Sequence, residues 1–365
     1  MRLAFLIISL EGSGGAERAL SSLSGFFARK GHEVTVFSLQ GRGSFYDFDK
    51  EVNIVFLNLP QLPPSASLSR FRAAASRALS VRKAVKELSP DCVIGMSHVM
   101  SSYAVFSTVL TKIKSVGTER SNPYMLNATP FMTLLRRATS LLCGGYIFQT
   151  EGARGFFPKS VRRKSAVIQN AVFNQSVYEL SPPTVREKTI TAAGRLVECK
   201  GFDTLIKAFA EIHKSFPDYK LVIYGDGEER ERLESAAAEN GLRDFVCLPG
   251  AVRDVMSRVC RSSVFVLSSR YEGMPNALIE AMACGVPCVS TRCKMGPEEL
   301  IVDGENGLLA PVDDVGAISS AVVRLLSDKN LSEKISRSSL SLKKRLSTEE
   351  IGAQWIEYLS RLIKN

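Results

Sequence analysis

The segment Ser268–Ser290, SSRYEGMPNALIEAMACGVPCVS, determines how the rest of the chain is interpreted. The apolar run Val264–Leu267 before it is rich in β-branched residues and predicts a strand. Asn276–Cys284 predicts a helix, because good helix formers lie there between a proline and a glycine. A second short strand is predicted over Pro287–Ser290. The order strand, loop, helix, strand indicates a parallel α/β sheet.

Two carboxylates accompany this predicted helix. Glu272 lies in the loop before the helix, and Glu280 lies on the helix eight residues later. We expect them to face one cleft at two depths. The head of a helix offers free N–H groups and positive potential, so this loop suits a diphosphate group.

A second cluster of candidate residues lies upstream, after a strand predicted over Thr189–Ala193. Arg195 and Lys200 fall in the loop between this strand and a helix predicted over Asp203–Ser215. A guanidinium and an ammonium group at such a loop supply the fixed positive charge that a diphosphate needs. Gly250, which follows another predicted strand, is expected to flank the base of a nucleotide.

The N-terminal part begins a separate α/β pattern. A strand over Arg2–Ser9 precedes a glycine-containing loop over Glu11–Glu17, then a helix over Arg18–Lys30 and a strand over His32–Leu39. The apolar N-terminus is interpreted as a buried strand and not as a signal peptide. The loop glycines do not have the G-x-G-x-x-G spacing, and the lysine of a P-loop is missing.

Length, charge and cysteine content limit the possible classes. The 365 residues suffice for two domains, and no apolar run is long enough for a transmembrane helix. Residues 1–170 contain 22 Lys/Arg and 10 Asp/Glu, whereas residues 171–365 contain 25 and 27. This basic half predicts an anionic partner, such as lipid phosphates, membrane headgroups or nucleic acid. The eight cysteines form no Cys-x-x-Cys pair, which fits a reducing cytoplasm without a disulfide or zinc framework.

Three segments of the basic half are candidates for contact with such a partner. The helix predicted over Leu68–Leu88 carries four cations on one arc of about 100°, and they are Arg72, Arg82, Lys83 and Lys86. The amphipathic segment Met125–Leu142 and the aromatic and basic segment Gly155–Lys164 are both suited to a membrane surface. The alternatives are a solvated helix face, a core-facing helix and an ordinary loop. His98 follows a strand predicted over Pro90–Met96, where it can reach a cleft or serve a structural role.

Several motifs resemble those of the retaining glycosyltransferases of family 4. They are GGAER at Gly14–Arg18, GRLVECKG at Gly194–Gly201 and the E-x7-E pair of Glu272 and Glu280. The stretch Ser115–Tyr124, SVGTERSNPY, resembles the S-E-R-N-x-P motif of members related to lipid-linked oligosaccharide synthesis. Thr118 replaces its serine, and Ser121 lies between the arginine and the asparagine.

This resemblance implies the GT-B fold, which has two facing Rossmann-like domains with a cleft between them. It places an acceptor-binding domain at residues 1–172 and a nucleotide-sugar-binding domain at residues 188–340. Residues 341–365 are expected to form a C-terminal helix that packs back on the first domain.

The resemblance also implies roles for individual residues. Arg195, Lys200 and Glu272 are the predicted catalytic residues: the two cations stabilise the leaving diphosphate in place of a metal ion, and Glu272 hydrogen-bonds the donor sugar. Glu280 is expected to hold the ribose hydroxyls. The other predicted donor contacts are Gly14, Gly15, Gly250, Gly273, Met274, Asn276 and Ala277. The predicted acceptor contacts are Arg72, Arg82, Lys83, Lys86, His98, Glu119 and Arg120. No cofactor or metal is expected.

The activity implied is retaining transfer of a hexosyl or N-acetylhexosaminyl group from a nucleotide sugar, UDP-sugar being favoured, to a polyprenyl-diphosphate-linked glycan. Such an enzyme would serve bacterial surface polysaccharide or glycoprotein glycan assembly on the anionic inner face of the cytoplasmic membrane. The alternatives are a nucleotide-sugar epimerase of the same fold and a transferase acting on lipopolysaccharide core or a soluble acceptor. The glycine spacing disfavours a nicotinamide-dependent oxidoreductase, and no RNA-binding or helix-turn-helix signature supports a nucleic-acid partner.

Overall fold

The computed structural model describes residues 1–12, 14–62, 68–125 and 130–364, and it gives the backbone alone for residues 68, 70, 71, 130 and 131. The chain forms two compact units. The first comprises Met1–Phe173 and Thr348–Asn365, and the second comprises Asn174–Ser347. Within the described ranges, no helix combines the length and the apolar composition needed to cross a membrane.

The first unit is built from alternating strands and helices. Up to Phe173 they are β1 (Arg2–Ser9), α1 (Gly15–Arg29), β2 (Glu33–Gln40), β3 (Val52–Phe56), α2 (Leu68–Leu88), β4 (Cys92–Gly95), α3 (His98–Thr108), β5 (Lys114–Glu119), α4 (Pro130–Leu142), β6 (Gly145–Phe148), α5 (Glu151–Gly155), α6 (Lys159–Arg163) and β7 (Ser165–Val167).

The second unit repeats this alternation. Its elements are α7 (Ser176–Glu179), β8 (Glu187–Ala193), α8 (Phe202–Ser215), β9 (Lys220–Tyr224), α9 (Arg230–Glu239), β10 (Val246–Gly250), α10 (Val255–Val259), β11 (Ser262–Leu267), α11 (Asn276–Ala283), β12 (Cys288–Thr291), α12 (Pro297–Leu300), β13 (Leu308–Ala310), α13 (Val315–Ser327), α14 (Lys329–Ser339) and α15 (Ser341–Arg345). The chain then returns to the first unit with α16 (Thr348–Lys364).

Each unit contains one parallel sheet. In the described part of the first unit the strand order is β3-β2-β1-β4-β5-β6-β7, and in that of the second it is β10-β9-β8-β11-β12-β13. Strand β1, at the centre of the first sheet, is a nearly continuous apolar run, as expected when helices cover both faces of a parallel sheet. Leu3, Ala4, Phe5 and Leu6 of β1, for example, are fully buried. The α/β fold class predicted from the sequence is therefore confirmed.

The segment that directed the sequence interpretation forms β11, α11 and β12. Strand β11 pairs in parallel with β12, with Phe265 opposite Cys288. Helix α11 begins at Asn276, as predicted, and ends at Ala283. Gly285 follows it with φ +68°, and a Cβ there would lie 2.8 Å from the Pro182 ring. A glycine is therefore required at this turn both by conformation and by space.

The unit boundaries differ in detail from the predicted domain limits. Residues 174–187, which the prediction leaves as a linker, lie in the second unit, and α7 within them packs against α10. Residues 341–347 also belong to the second unit, because α15 packs on α11. The part of the predicted C-terminal segment that joins the first unit begins at Thr348.

Helix α16 completes the core of the first unit. Its Trp355 ring is buried with its centroid 6.4 Å from that of Phe27 on α1. The Tyr358 hydroxyl accepts a hydrogen bond from the Tyr146 N–H at 2.8 Å and donates to the Lys164 carbonyl at 2.6 Å. The last helix thus satisfies backbone groups of β6 and of the turn before β7.

Replacing Tyr358 with phenylalanine should weaken the attachment of α16. The substitution leaves the Tyr146 N–H and the Lys164 carbonyl without their partner, at a cost of about 1–3 kcal/mol. Trp355 is the only tryptophan of the chain and lies on the same helix. Its fluorescence during urea denaturation therefore reports this loss as a lower midpoint.

Tyr103→Phe is the matched control, because the half-buried Tyr103 hydroxyl makes none of the hydrogen bonds found among the described residues. Its midpoint should stay close to that of the wild type. An unchanged midpoint for Tyr358→Phe would show that these two hydrogen bonds do not hold the helix.

Candidate active site

The predicted donor residues of the second unit gather at one edge of its sheet. Because all strands are parallel, the loops that follow β8, β9, β11 and β12 leave the sheet at the same edge, where α/β proteins bind ligands. Backbone hydrogen bonds join these loops. The Leu196 N–H donates to the Asp226 carbonyl at 2.9 Å, and the Arg270 N–H donates to the Cys199 carbonyl at 2.8 Å.

Two glycines permit this close approach of the loops. Gly201 has φ +60°, and a Cβ on it would lie 2.2 Å from the Ser268 carbonyl oxygen. Gly225 has φ +138°, and a Cβ on it would lie 1.8 Å from the Gly194 carbonyl oxygen. No other residue type fits either position without displacing the backbone of the neighbouring loop.

Lys200 and Glu272 form an ion pair at the centre of this edge. The Lys200 Nζ atom lies 2.6 Å from Glu272 Oε1, and the Ser269 hydroxyl donates to the same oxygen at 2.7 Å. The Ser268 hydroxyl donates to the Lys200 carbonyl at 2.9 Å. Both charged side chains are largely buried, so their attraction is screened less than that of a surface pair. The structure therefore brings together two of the three predicted catalytic residues.

Arg195, the third predicted catalytic residue, follows β8 on the same loop as Lys200. Its side chain is exposed and takes part in none of the ion pairs found in the described part of the chain. Arg195 therefore offers a guanidinium group to solvent beside a lysine that is already paired. An exposed arginine and a fixed lysine can contact different oxygens of one diphosphate.

The loop between β11 and α11 places the remaining predicted donor contacts. Gly273 is held against Gly296 of the next loop, where a Cβ on Gly296 would lie 2.8 Å from the Gly273 carbonyl oxygen. Met274 is buried, and Asn276 and Ala277 form the first turn of α11. Pro275 at the N-cap makes no side-chain bond to the first N–H groups of the helix. The positive end of the helix dipole is therefore directed toward this edge.

Glu280 and Gly250 lie at either side of this loop system. Glu280 is on the second turn of α11 and only 2% exposed, which is deeper than Glu272. Gly250 ends β10 with φ +87°, and its carbonyl accepts a hydrogen bond from the Gly225 N–H at 2.9 Å. The two predicted carboxylates thus have different depths, as expected.

Arg270 is a site residue that the sequence interpretation missed. Its guanidinium donates to both carboxylate oxygens of Asp203 at 2.9 and 3.0 Å, to Asp313 at 3.1 Å and to the Glu198 carbonyl. The hydrogen bonds, chiefly the one to Asp203, hold the pKa of Arg270 above its ordinary value. Burial raises the pKa of Asp203, but the hydrogen bond and the charge of Arg270, together with the Thr204 backbone N–H and the charge of Arg232, outweigh it and leave this pKa below its usual value. An arginine three residues after a buried strand was the available signal.

Gly14 and Gly15 lie in the first unit, where Gly14 is the N-cap of α1 and Gly15 its first residue. The Glu17 side chain folds back over this turn, since a Cβ on Gly14 would lie 2.5 Å from Glu17 Oε2. A side chain at residue 14 would therefore displace Glu17.

The predicted acceptor residue Glu119 ends β5 in the first unit, and Arg120 follows it. Glu119 is buried in an ion pair with Arg136 of α4, whose Nε atom lies 2.9 Å from Glu119 Oε2. Arg120 donates to Asn170 Oδ1 at 2.9 Å, and burial lowers its pKa to about 10, against the attraction of Glu17. The Glu119 carboxylate is therefore already paired with a cation inside the first unit.

His98 begins α3 after the N-cap Ser97, close to Glu119 and Arg136. Burial is the main reason why the pKa of His98 lies below its ordinary value; Glu119 raises it and Arg136 lowers it. The imidazole is therefore neutral at pH 7 and can donate or accept a hydrogen bond.

The four predicted acceptor cations of α2 do not share one environment. Arg72, Lys83 and Lys86 are exposed. Arg82 instead donates to the Phe106 carbonyl at 2.7 Å and to the Val109 carbonyl at 2.8 Å, at the C-terminal end of α3. Three of the four cations are exposed, although Lys83 also pairs loosely with Glu87 at 3.9 Å, and the fourth caps a helix.

Comparison with protein families identifies the chain. The model of Glycosyltransferase Family 4 matches residues 13–173, and that of Glycosyl transferases group 1 matches residues 181–340. The chain belongs to the family 4 glycosyltransferases. The predicted family and transferase activity are thereby confirmed.

Solved structures show the same architecture. Sucrose-phosphate synthase from Thermosynechococcus elongatus superposes with a TM-score of 0.85 at 18% identity, over 100% of this chain and 99% of the other. HepE from Anabaena, solved in complex with UDP, has a TM-score of 0.80 at 18% identity, over 99% of this chain and 100% of the other. These similarities confirm the predicted GT-B fold.

A curated relative has a defined acceptor. It is the Campylobacter jejuni GalNAc-alpha-(1->4)-GalNAc-alpha-(1->3)-diNAcBac-PP-undecaprenol alpha-1,4-N-acetyl-D-galactosaminyltransferase, which is 26% identical over 100% of this family 4 chain and 99% of the relative. This similarity extends over both matched family regions.

The contacts of Arg270 predict that it positions the catalytic loops. Arg270→Ala should lower kcat/KM for the donor by about 10- to 100-fold, because the Lys200 and Glu272 loops lose their shared anchor. Arg270→Lys should recover only part of the activity, since an ammonium group cannot replace a planar guanidinium group that donates to several acceptors at once. Donor kinetics and thermal melting are measured together.

Arg232→Ala is the matched control. Arg232 pairs with the same Asp203 at 3.6 Å, but its side chain is more exposed and lies on α9. Its kinetics should resemble those of the wild type. Normal donor kinetics in Arg270→Ala would show that the guanidinium does not position this site.

Proposed function

We propose that this family 4 glycosyltransferase transfers a sugar with retention of configuration from a UDP-sugar to a polyprenyl-diphosphate-linked glycan. The transfer reaction would take place on the inner face of the cytoplasmic membrane, during bacterial surface polysaccharide or glycoprotein glycan assembly. The observation that carries the proposal is the Lys200–Glu272 pair, with Arg195 beside it, at the ligand-binding edge of the second sheet.

The pair supports separate roles for its cation and its anion. When the bond from the anomeric carbon to the diphosphate breaks, negative charge grows on the leaving oxygens. Lys200 and Arg195 would stabilise this negative charge, and the positive N-terminal end of α11 would contribute further stabilisation. Glu272, fixed by Ser269 and Lys200, would hydrogen-bond the sugar and favour its oxocarbenium-like state. Glu280 would hold the ribose hydroxyls from its deeper position.

The nucleotide and the acceptor are proposed by similarity. HepE, which shares the fold, was solved with UDP, and the Campylobacter relative is named for an undecaprenol-linked acceptor. The exposed cations of α2, Arg72, Lys83 and Lys86, would hold the diphosphate of such an acceptor. We also propose that no divalent metal ion is required, because Arg195 and Lys200 supply the positive charge that such an ion would provide.

The decisive assay measures UDP release from UDP-sugars with and without a short-chain polyprenyl-diphosphate glycan, in the presence and absence of excess EDTA. We expect turnover only with the acceptor, retained anomeric configuration by NMR, and no effect of EDTA. Arg195→Ala and Lys200→Ala should each lower kcat by on the order of 10²-fold, as for loss of a preorganised charge donor. Lys207→Ala, an exposed lysine on α8, is the control with unchanged kcat.

Several results would contradict parts of this proposal. Conversion of the UDP-sugar without an acceptor would indicate an epimerase. Loss of activity in EDTA that Mg²⁺ or Mn²⁺ restores would show that the cations do not replace a metal ion. Wild-type rates in both the Arg195 and the Lys200 variants would remove them from the catalytic machinery.

The acceptor role of α2 has its own test. Replacing Arg72, Lys83 and Lys86 with glutamate should raise the KM for the short-chain acceptor at least tenfold, because three attractive contacts become repulsive. The KM for the donor should not change. Arg82 is left intact, since its loss would disturb the end of α3. An unchanged acceptor KM would make these cations an ordinary solvated surface.

A further inference from the structure

Helix α4 is amphipathic in the opposite sense to an ordinary surface helix. Its inward side carries Arg136, Thr139 and Ser140, which are 6%, 5% and 0% exposed. Its outward side carries leucines that remain in contact with solvent. They are Leu134 at 66%, Leu135 at 37%, Leu141 at 45% and Leu142 at 68% exposure. A helix on the surface of a soluble domain normally buries its leucines and exposes its arginine.

The buried polar side of α4 is fully engaged in internal bonds. Arg136 pairs with Glu119 of β5, and Thr139 lies 3.0 Å from the Ser102 hydroxyl of α3. These bonds fix the orientation of the helix about its own axis. If the helix rotated so that its leucines became buried, Glu119 would be left as an unpaired buried charge. The leucines therefore face outward because the polar contacts on the opposite side of the helix hold it in this orientation. We call Leu134, Leu135, Leu141 and Leu142 the leucine ridge.

A basic groove adjoins the leucine ridge. It has a volume of about 480 Å³ and lies on α5 and α6, where Arg154, Lys159, Arg162 and Arg163 line it. Its acidic residue, Glu151, is paired with Arg154. Lys159, Arg162 and Arg163 take part in none of the ion pairs found in the described ranges of the chain. The groove thus carries excess positive charge.

Lys164, which lies outside the groove lining, joins the end of α6 to the end of α4. The Lys164 ammonium, one residue after α6, donates to the Leu141 carbonyl at 2.7 Å and also to the Cys143 carbonyl. The Phe156 ring, one residue after α5, lies against Tyr124 with ring centroids 5.0 Å apart, and both rings are exposed. Apolar and aromatic side chains thus adjoin a row of cations.

We propose that the leucine ridge and the basic groove together form the surface by which this protein docks on an anionic phospholipid bilayer. Charge complementarity identifies the occupant: leucines and aromatic rings enter the interface, and Lys159, Arg162 and Arg163 meet lipid phosphates. A protein partner would be expected to pair these cations with carboxylates, and that alternative is an outcome of the test. The inference rests on the proposed function in that a lipid-linked acceptor is presented at such a bilayer.

Flotation of the full-length protein with vesicles tests the docking surface without donor or acceptor. The vesicles consist of phosphatidylcholine alone or mixed with phosphatidylglycerol. We expect the wild type to bind the mixed vesicles much more strongly than the neutral ones. Replacing Leu134, Leu141 and Leu142 with glutamine should weaken binding at least tenfold, because these side chains no longer favour the interface. Replacing the same three residues with methionine keeps the apolar area and should preserve binding.

The basic groove is tested by changing Lys159, Arg162 and Arg163 to serine. Binding to the anionic vesicles should fall by on the order of a hundredfold at low salt and by much less at high salt. Lys207, Arg243 and Arg345 of the second unit, changed together to serine, form the matched control with the same loss of charge. This control should bind nearly as well as the wild type.

Two further measurements distinguish a loss of docking from a loss of catalysis or of folding. Turnover of the short-chain soluble acceptor should stay within about twofold of the wild-type rate in both the ridge and the groove variants. A larger loss would indicate that the substitutions impair catalysis and not only docking. Thermal melting confirms that each variant is folded. Wild-type vesicle binding by the folded glutamine variant would overturn the proposal. So would a wild-type dimer that this variant converts to a monomer, because a second copy would then cover the ridge.

Discussion

The Arg270 guanidinium joins two loops that leave neighbouring strands of the second sheet, and the geometry of the active site depends on this junction. Lys200 lies on one loop and Glu272 on the other. Arg270 holds the first loop through Asp203 and the Glu198 carbonyl, and it belongs to the second. A third charged side chain therefore links the two loops that carry the ion pair. At Gly201 and Gly225 the neighbouring loops lie so close that no side chain fits between them.

This arrangement has a consequence for the charges of the site. Without a ligand, Lys200 is neutralised by Glu272, so neither charge is left alone in a largely buried position. A diphosphate that binds near Lys200 competes with Glu272 for the ammonium group. The sugar hydroxyls can then replace part of what the carboxylate loses. Donor binding and release of the carboxylate toward the sugar would thus be coupled through one lysine.

The fold could be predicted from the sequence because its signals are local. The strand, loop, helix and strand around Glu272 follow from apolar runs, a proline and a glycine, and α11 begins at the predicted residue. The environments of charged side chains depend on contacts between distant residues and were not predictable in the same way. Arg82 lies on the predicted basic arc of α2, yet it caps α3, and Arg136 points inward from α4 to Glu119. Arg270 acquires its role only when β8 and β11 become neighbours.

The chain order of the two units also constrains how the protein is made. The first unit is interrupted after Phe173 and resumes at Thr348, so the second unit is an insertion within it. During synthesis the residues of the second unit emerge complete before α16 does. Until then Phe27 lacks the Trp355 ring, and the Tyr146 N–H lacks the Tyr358 hydroxyl. The inserted unit can therefore fold on the ribosome first, and the unit that begins the chain becomes complete last.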